Sequence, residues 1–181
     1  MERKLQQNAV SRDGYIISQY RTENVPYGRR TSNINGCGWI AAYNFFLCMG
    51  RPKSVEELTD ALSRHSLFRG RLGTSPFRLR RYLKKQGYDL DVTLSVKKAA
   101  DKAASARAGI LLYRHSNGWH FVTFTKTDAP GRLRFFNAIQ GEGNHITDME
   151  AFLKKDNLSP VIYLLTLSDN AYAPHINTES L

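Results

Sequence analysis

A chain of 181 residues with 41% hydrophobic side chains suits one domain with a real core, and it carries no low-complexity tract or internal repeat. Two cysteines exclude a disulfide framework, and if Cys37 and Cys48 share one helix they lie about 16 Å apart, beyond bridging reach. The net charge of +10 is partly local: eight Lys or Arg and no acid fall between Arg64 and Lys85, a patch that can hold an acidic partner or simply be a solvated face.

The first ten residues, MERKLQQNAV, are polar and lack the apolar centre of a signal peptide. Both thiols therefore read as reduced, in a cytoplasmic protein, with a leaderless export route left open. The longest apolar stretch, WIAAYNFFLCMG, is about half a membrane span and contains Asn44, so no membrane span is expected. Residues 1–30 form an N-terminal arm, in which YIISQY has the look of a short strand. Residues 37–48 form a buried helix with Trp39, Ile40, Tyr43, Phe46 and Leu47 at three- and four-residue spacing, stopped by Gly50 and Pro52.

Ser54 and Glu57 make a capping box for a helix to about Arg64. A third helix follows, with Ser75 as cap, Pro76 at its first position and Gly87 at its end. It places Phe77, Leu79, Tyr82 and Leu83 on the core side and Arg78, Arg81 and Lys85 on or beside the other. YDLDVTL alternates as a strand, and VKKAADKAASAR is alanine-rich and helical. GILLYRH, WHFVTFT and RLRFFNA are strands. Thr147 and Glu150 form a second capping box, PVIYLLTL is the last strand, and a polar tail runs from Ser168 to the end. Helices first and then a mostly antiparallel sheet make an α+β domain spanning residues 1–181.

Cys37 stands between Gly36 and Gly38 at the start of the 37–48 helix. Two readings fit. A free cysteine is often a small buried hydrophobe before a core helix. Alternatively it is a nucleophile, whose thiolate gains from the helix N-terminus and a neighbouring imidazolium, with substrate approaching closely over the two glycines and the Cys37 N–H free for an oxyanion.

Five histidines could supply the imidazole: His65, His115, His120, His145 and His175. His120 shares a strand face with Val122 and Phe124. An antiparallel pairing that sets Phe124 against Leu133 and Val122 against Phe135 would set His120 against Asn137, and asparagine can orient an imidazole. In RHSNGWH, read as one continuous strand, His115 and His120 fall on opposite faces, and no His and Cys cluster has ligand spacing, so neither a metal nor another cofactor is expected. The basic patch lacks zinc-finger spacing, a phosphate loop or an RNA-binding aromatic motif, so nucleic acid is not its expected partner.

The segments NGCGWIAAYN at a helix start, GWHFVTF on a strand and FFNA on the next resemble the papain-like cysteine peptidases, and within them the compact bacterial branch that includes the bacteriocin leader peptidases. The pattern covers about residues 31–167. The resemblance implies a helical N-terminal lobe, with the nucleophile at a helix start, packed on an antiparallel sheet. It implies Cys37 as nucleophile, His120 as general base and Asn137 as orienting residue, acting on a protein or peptide substrate by peptide or isopeptide cleavage. Leader peptidases tend to use aspartate as orienting group, so Asn137 follows the papain pattern. The family's oxyanion glutamine, about six residues before the cysteine, is replaced by Thr31, leaving Asn33 and Asn35 as the nearest amides. Gly36, Gly38, Trp39, Gly118 and Trp119 are cleft candidates, although the tryptophans and the SNGW turn can equally be core and hairpin. Two other functions share these residues: a catalytically idle binding module of the same fold, and a Cys-dependent deamidase or transamidase acting on a partner protein.

Overall fold

The computed structural model describes residues 3–64, 73–138 and 145–168. The N-terminal arm is largely irregular. It holds a single bridge between Val10 and Ile16, a 3-10 turn at Gln19–Arg21, and a short hairpin of β1 (Pro26–Tyr27) and β2 (Arg30–Thr31). The strand expected in YIISQY is absent, because a side chain takes the place of a ladder there. The buried amide of Asn44 accepts from Ile16 N–H and donates to Ile16 C=O, each at 2.8 Å. The apolar side chains of the segment still bury, Ile16 completely.

Helix α1 (Ser32–Asn35) leads through Gly36 into α2 (Cys37–Cys48). Helix α2 is buried nearly all round, with Trp39, Ile40, Phe45 and Phe46 inside and Tyr43 and Leu47 only half-buried. Helix α3 (Val55–Ser63) starts as the capping box requires, Ser54 Oγ accepting from Glu57 N–H at 3.0 Å. Helix α4 (Pro76–Lys85) has Pro at its first position, and Gly87, at φ +91°, follows its end. Leu79, Tyr82 and Leu83 face the core, but Phe77 is 71% exposed. The Phe77 ring instead stands 5.4 Å from that of Tyr163, in an edge-to-face arrangement.

The main sheet has β3 (Asp91–Ser95), β4 (Ala106–His115), β5 (Gly118–Lys126), β6 (Leu133–Phe136), β7 (His145–Thr147) and β8 (Val161–Ser168). Its order is β3-β8-β4-β5-β6-β7, and every pairing is antiparallel. Two helices interleave with the strands, α5 (Val96–Ala104) and α6 (Met149–Asp156). The α6 cap is Asp148, which accepts from Ala151 N–H at 2.7 Å, not Thr147.

Side chains alternate across the strands, so the sheet carries two cores. Ala108, Ile110, Phe121 and Leu165 pack against α2, α3 and α4. Leu111, Tyr113, Val122, Phe124 and Phe135 pack against α5 and α6 on the opposite face. The sheet is thus covered on both sides, beyond the single N-terminal helical lobe that the sequence order suggests.

Candidate active site

The hairpin that carries His120 differs in register from the expected one by two residues. Phe124 lies opposite Phe135, and the ladder ends with Thr123 opposite Phe136. A shift of two keeps every side chain on its predicted face but takes His120 off the level of Asn137. Asn137 then leaves the ladder with φ +61°, a left-handed conformation that asparagine tolerates better than most residues. That turn aims its backbone carbonyl at the imidazole, and His120 Nε2 donates to Asn137 O at 2.7 Å. The contact expected from the Asn137 side chain is therefore made by its main chain. A carbonyl can only accept, so Nε2 carries the hydrogen and Nδ1 of the neutral ring keeps its lone pair.

Beyond Thr123 the first five residues of β5 have no β6 partner. The main chain of Phe121, with that of Gly38 and of Cys37 itself, favours the charged form of the Cys37 thiol. Cys37 and His120 line one pocket of about 460 Å³, with Asn33, Asn137, Gln19 and Trp119 in its walls. Cys37 does begin α2, but Gly36 has helical dihedrals and α1 lies immediately before it, so the helix start is a joint between two helices.

The two flanking glycines answer to the protein's own packing. A Cβ on Gly36 would sit 2.4 Å from Ser32 O, and one on Gly38 would sit 2.3 Å from Thr74 Oγ1. Neither glycine lines the pocket, which corrects their assignment to the cleft. Trp39 is likewise core: it is fully buried and donates from Nε1 to Ser32 Oγ at 2.9 Å. Gly118, at φ +123°, serves the β4–β5 hairpin turn, whereas Trp119 is half exposed at the pocket.

Burial governs the charge state. It pushes the Cys37 thiol up, against the pull of the three backbone N–H groups. It pushes His120 down to about 4, against its bond to Asn137 O and with the help of nearby His115. Both shifts favour a neutral thiol and a neutral imidazole over the thiolate and imidazolium that a helix N-terminus alone would favour.

Two amides at the pocket carry further structure. Asn33 accepts at Oδ1 from Thr31 Oγ1 at 2.5 Å, which leaves its Nδ2 hydrogens to donate. Asn35 lies on the other side of Cys37, in an adjoining groove. The glutamine at the pocket comes from elsewhere in the chain. Gln19, on the arm, donates its backbone N–H to Asn137 Oδ1 at 2.9 Å and its Nε2 to Asn33 O at 3.1 Å. Gln19 Oε1 and Asn137 Nδ2 are buried there with no partner. No local pattern marks Gln19, which lies in a weakly patterned segment. Asn44 does have a signal: a lone amide on an apolar helix must find backbone partners.

Among the other histidines, His115 also lines the pocket. RHSNGWH is a hairpin, not one strand, and it sets the rings of His115 and His120 5.8 Å apart on the same face. His145 packs against Phe135 and Phe152, and His65 and His175 lie outside the described residues. Arg78, Arg81 and Lys85 are exposed on α4; residues 65–72 of the basic segment and the tail from 169 lie outside the described residues. Among the described residues no three His, Cys, Asp or Glu side chains gather as a metal would need, and no helix is long and apolar enough to cross a membrane.

No protein-family profile matches the sequence, and no curated protein matches it. Among solved structures the Pseudomonas avirulence protein AvrPphB is similar at 12% identity and a TM-score of 0.36, over 73% of this chain and 90% of that one. A likeness of that size does not fix a shared fold or a shared chemistry.

Proposed function

We propose that the protein is a cysteine hydrolase of papain-like architecture that cleaves peptide or isopeptide bonds in a protein or peptide substrate. Cys37 is the nucleophile, His120 the general base, and Asn137 a positioning residue acting through its carbonyl. The observation that carries this reading is the pairing of His120 Nε2 with Asn137 O in the pocket of Cys37, which fixes the tautomer that can accept a proton at Nδ1.

With both groups neutral at rest, proton transfer accompanies attack. Sulfur bonds to the substrate carbonyl carbon as its proton passes to His120 Nδ1. The oxyanion is held by the backbone N–H of Cys37 and by Asn33 Nδ2. The imidazolium then protonates the leaving nitrogen, the C–N bond breaks, and a thioester remains. Water, deprotonated by His120, attacks the thioester and releases the carboxylate and the thiol. The test is acyl-enzyme formation: an activated ester or peptide anilide should leave a thioester on Cys37 in wild type and none in Cys37→Ala at equal fold content.

One observation favours a second reading, an idle binding module. The position of the family's oxyanion glutamine is Thr31, whose hydroxyl is spent on Asn33, and losing one oxyanion donor costs on the order of a hundredfold in rate or more. A folded protein that never acylates Cys37 would fit that reading. Ammonia release without chain cleavage would instead make the same residues a deamidase.

A further inference from the structure

One arm residue is bonded to both asparagines of the pocket. Gln19 is 9% exposed and lines the wall shared with Cys37 and His120. Its backbone N–H donates to Asn137 Oδ1 at 2.9 Å, and its Nε2 donates to Asn33 O at 3.1 Å. These two partners come from different parts of the fold, the turn after β6 and helix α1. Asn137 holds the imidazole through its carbonyl, and Asn33 is the side-chain donor to the oxyanion in the chemistry above. Asn33 is thus held twice. Thr31 Oγ1 donates to its Oδ1 and fixes the rotamer, while Gln19 fixes its main chain.

Gln19 is itself fixed. Its C=O accepts from Thr22 Oγ1 at 2.6 Å and from Thr22 N–H at 3.0 Å. The arm before it is anchored by the bonds of Asn44 to Ile16. Tyr15 adds a second anchor, stacking at 4.0 Å on Phe136, the residue before Asn137. Stability alone does not explain an amide at position 19. Gln19 Oε1 and Asn137 Nδ2 are both buried without a partner. Each such group is destabilising, and an apolar side chain at 19 would avoid the first of them.

We propose that Gln19 is a positioning residue of the active site, which sets the oxyanion donor Asn33 in place relative to Asn137 and the imidazole it holds. The inference rests on the Cys37–His120 reading and adds the arm to its machinery. Gln19 does not itself bind the oxyanion, because its amide donor is directed at Asn33 O. Its bond to Asn137 is made by the backbone and does not depend on its side chain. The side chain therefore acts on the oxyanion through Asn33.

Two reagents separate this role from packing. Acylation of Cys37 by p-nitrophenyl acetate passes through an oxyanion, whereas alkylation by iodoacetamide displaces iodide and forms none. Gln19→Met keeps the length of the side chain and removes its hydrogen bonds. It should slow acylation about tenfold and leave alkylation unchanged, both followed by intact mass and peptide mapping. In Asn33→Ala the same substitution should cost almost nothing more, because no donor is left to position. Gln19→Glu should be slow at neutral pH and recover relative to wild type as pH falls, since a protonated carboxyl again donates to Asn33 O. Acylation and alkylation slowed by the same factor would overturn the proposal, as would losses that add in the double variant. If Gln19→Met fails to fold, Gln19→Glu carries the test, and a ratio to wild type that stays flat with pH would overturn it. A wild type that is never acylated would sink the Cys37–His120 reading and this inference with it. A wild type acylated no faster than Gln19→Met would overturn this inference alone.

Discussion

His120 is held by the main chain of Asn137, while the side chain of Asn137 holds the arm: Nε2 donates to Asn137 O at 2.7 Å, and Asn137 Oδ1 accepts from Gln19 N–H at 2.9 Å. Orientation of the imidazole therefore depends on the left-handed turn at Asn137, with φ +61°, more than on its amide. Asn137→Gly keeps both the turn and the carbonyl. Asn137→Ala keeps the carbonyl but strains the turn by about 1 kcal/mol or more. The glycine variant should retain more activity than the alanine variant, measured as kcat alongside thermal melts. If alanine matches or exceeds glycine, the turn is not what positions the ring.

Burial of neutral His120 ties stability to pH. The ring titrates near 6.5 in the unfolded chain and is pushed down to about 4 in the fold, so the unfolded state binds the extra proton between these values. Stability is full above pH 6.5 and falls as pH drops towards 4, by about 3 kcal/mol from this residue. Urea unfolding of wild type and His120→Gln across that range should show a flatter slope in the variant. Parallel slopes would mean that the ring is solvated or charged in the fold.

Because burial raises the Cys37 thiol, its alkylation by iodoacetamide should climb steadily with pH through neutrality, without the acid plateau of a thiolate–imidazolium pair. Stopped-time labelling with peptide mapping separates Cys37 from Cys48, whose thiol burial pushes up to about 11. A plateau for Cys37 at mildly acidic pH would show a resting ion pair.

Asn44 is expected to matter as much as a core residue. Asn44→Ala would leave the N–H and C=O of Ile16 unpaired in the interior, at a cost of about 1–3 kcal/mol for each group. The arm, and with it Gln19, would loosen at the pocket. Hydrogen exchange at residues 15–20 should quicken in this variant more than at α2. Uniform exchange across the chain would indicate that the arm is not held through Asn44.

Gly38 is constrained by Thr74 and not by substrate. Gly38→Ala should destabilise by about 1–3 kcal/mol through overpacking, and Thr74→Gly in the same chain should recover part of the loss. Additive losses in melting experiments would place the constraint elsewhere.

These contacts mark what sequence periodicity could reach. Alternation marked β3 and the faces of β5 and β6, and apolar runs marked β4, β8 and α2, because burial enforces these patterns. The face of His120 was legible for the same reason. Its register was not, since a slip of two residues conserves every face and only the turn at Asn137 fixes the level. Glycine beside cysteine read as an open approach for substrate, but Ser32 and Thr74 occupy that space through contacts that no local pattern reveals. Gln19 reaches the pocket across a sequence separation of 118 residues from Asn137, held by bonds that begin at Asn44. The second layer, α5 and α6, was visible as helices, but its place on the far face follows from the strand order.

In the proposed chemistry Cys37 carries an acyl group and His120 activates the water that removes it. Intact-mass kinetics after a pulse of p-nitrophenyl acetate measure both steps. Wild type should gain one acetyl group, mapped to Cys37, and lose it by hydrolysis. His120→Ala should hold the acetyl group, with deacylation slowed by about a hundredfold or more. Acetylation confined to Cys48 or to lysines, or equal deacylation in the two proteins, would contradict this chemistry.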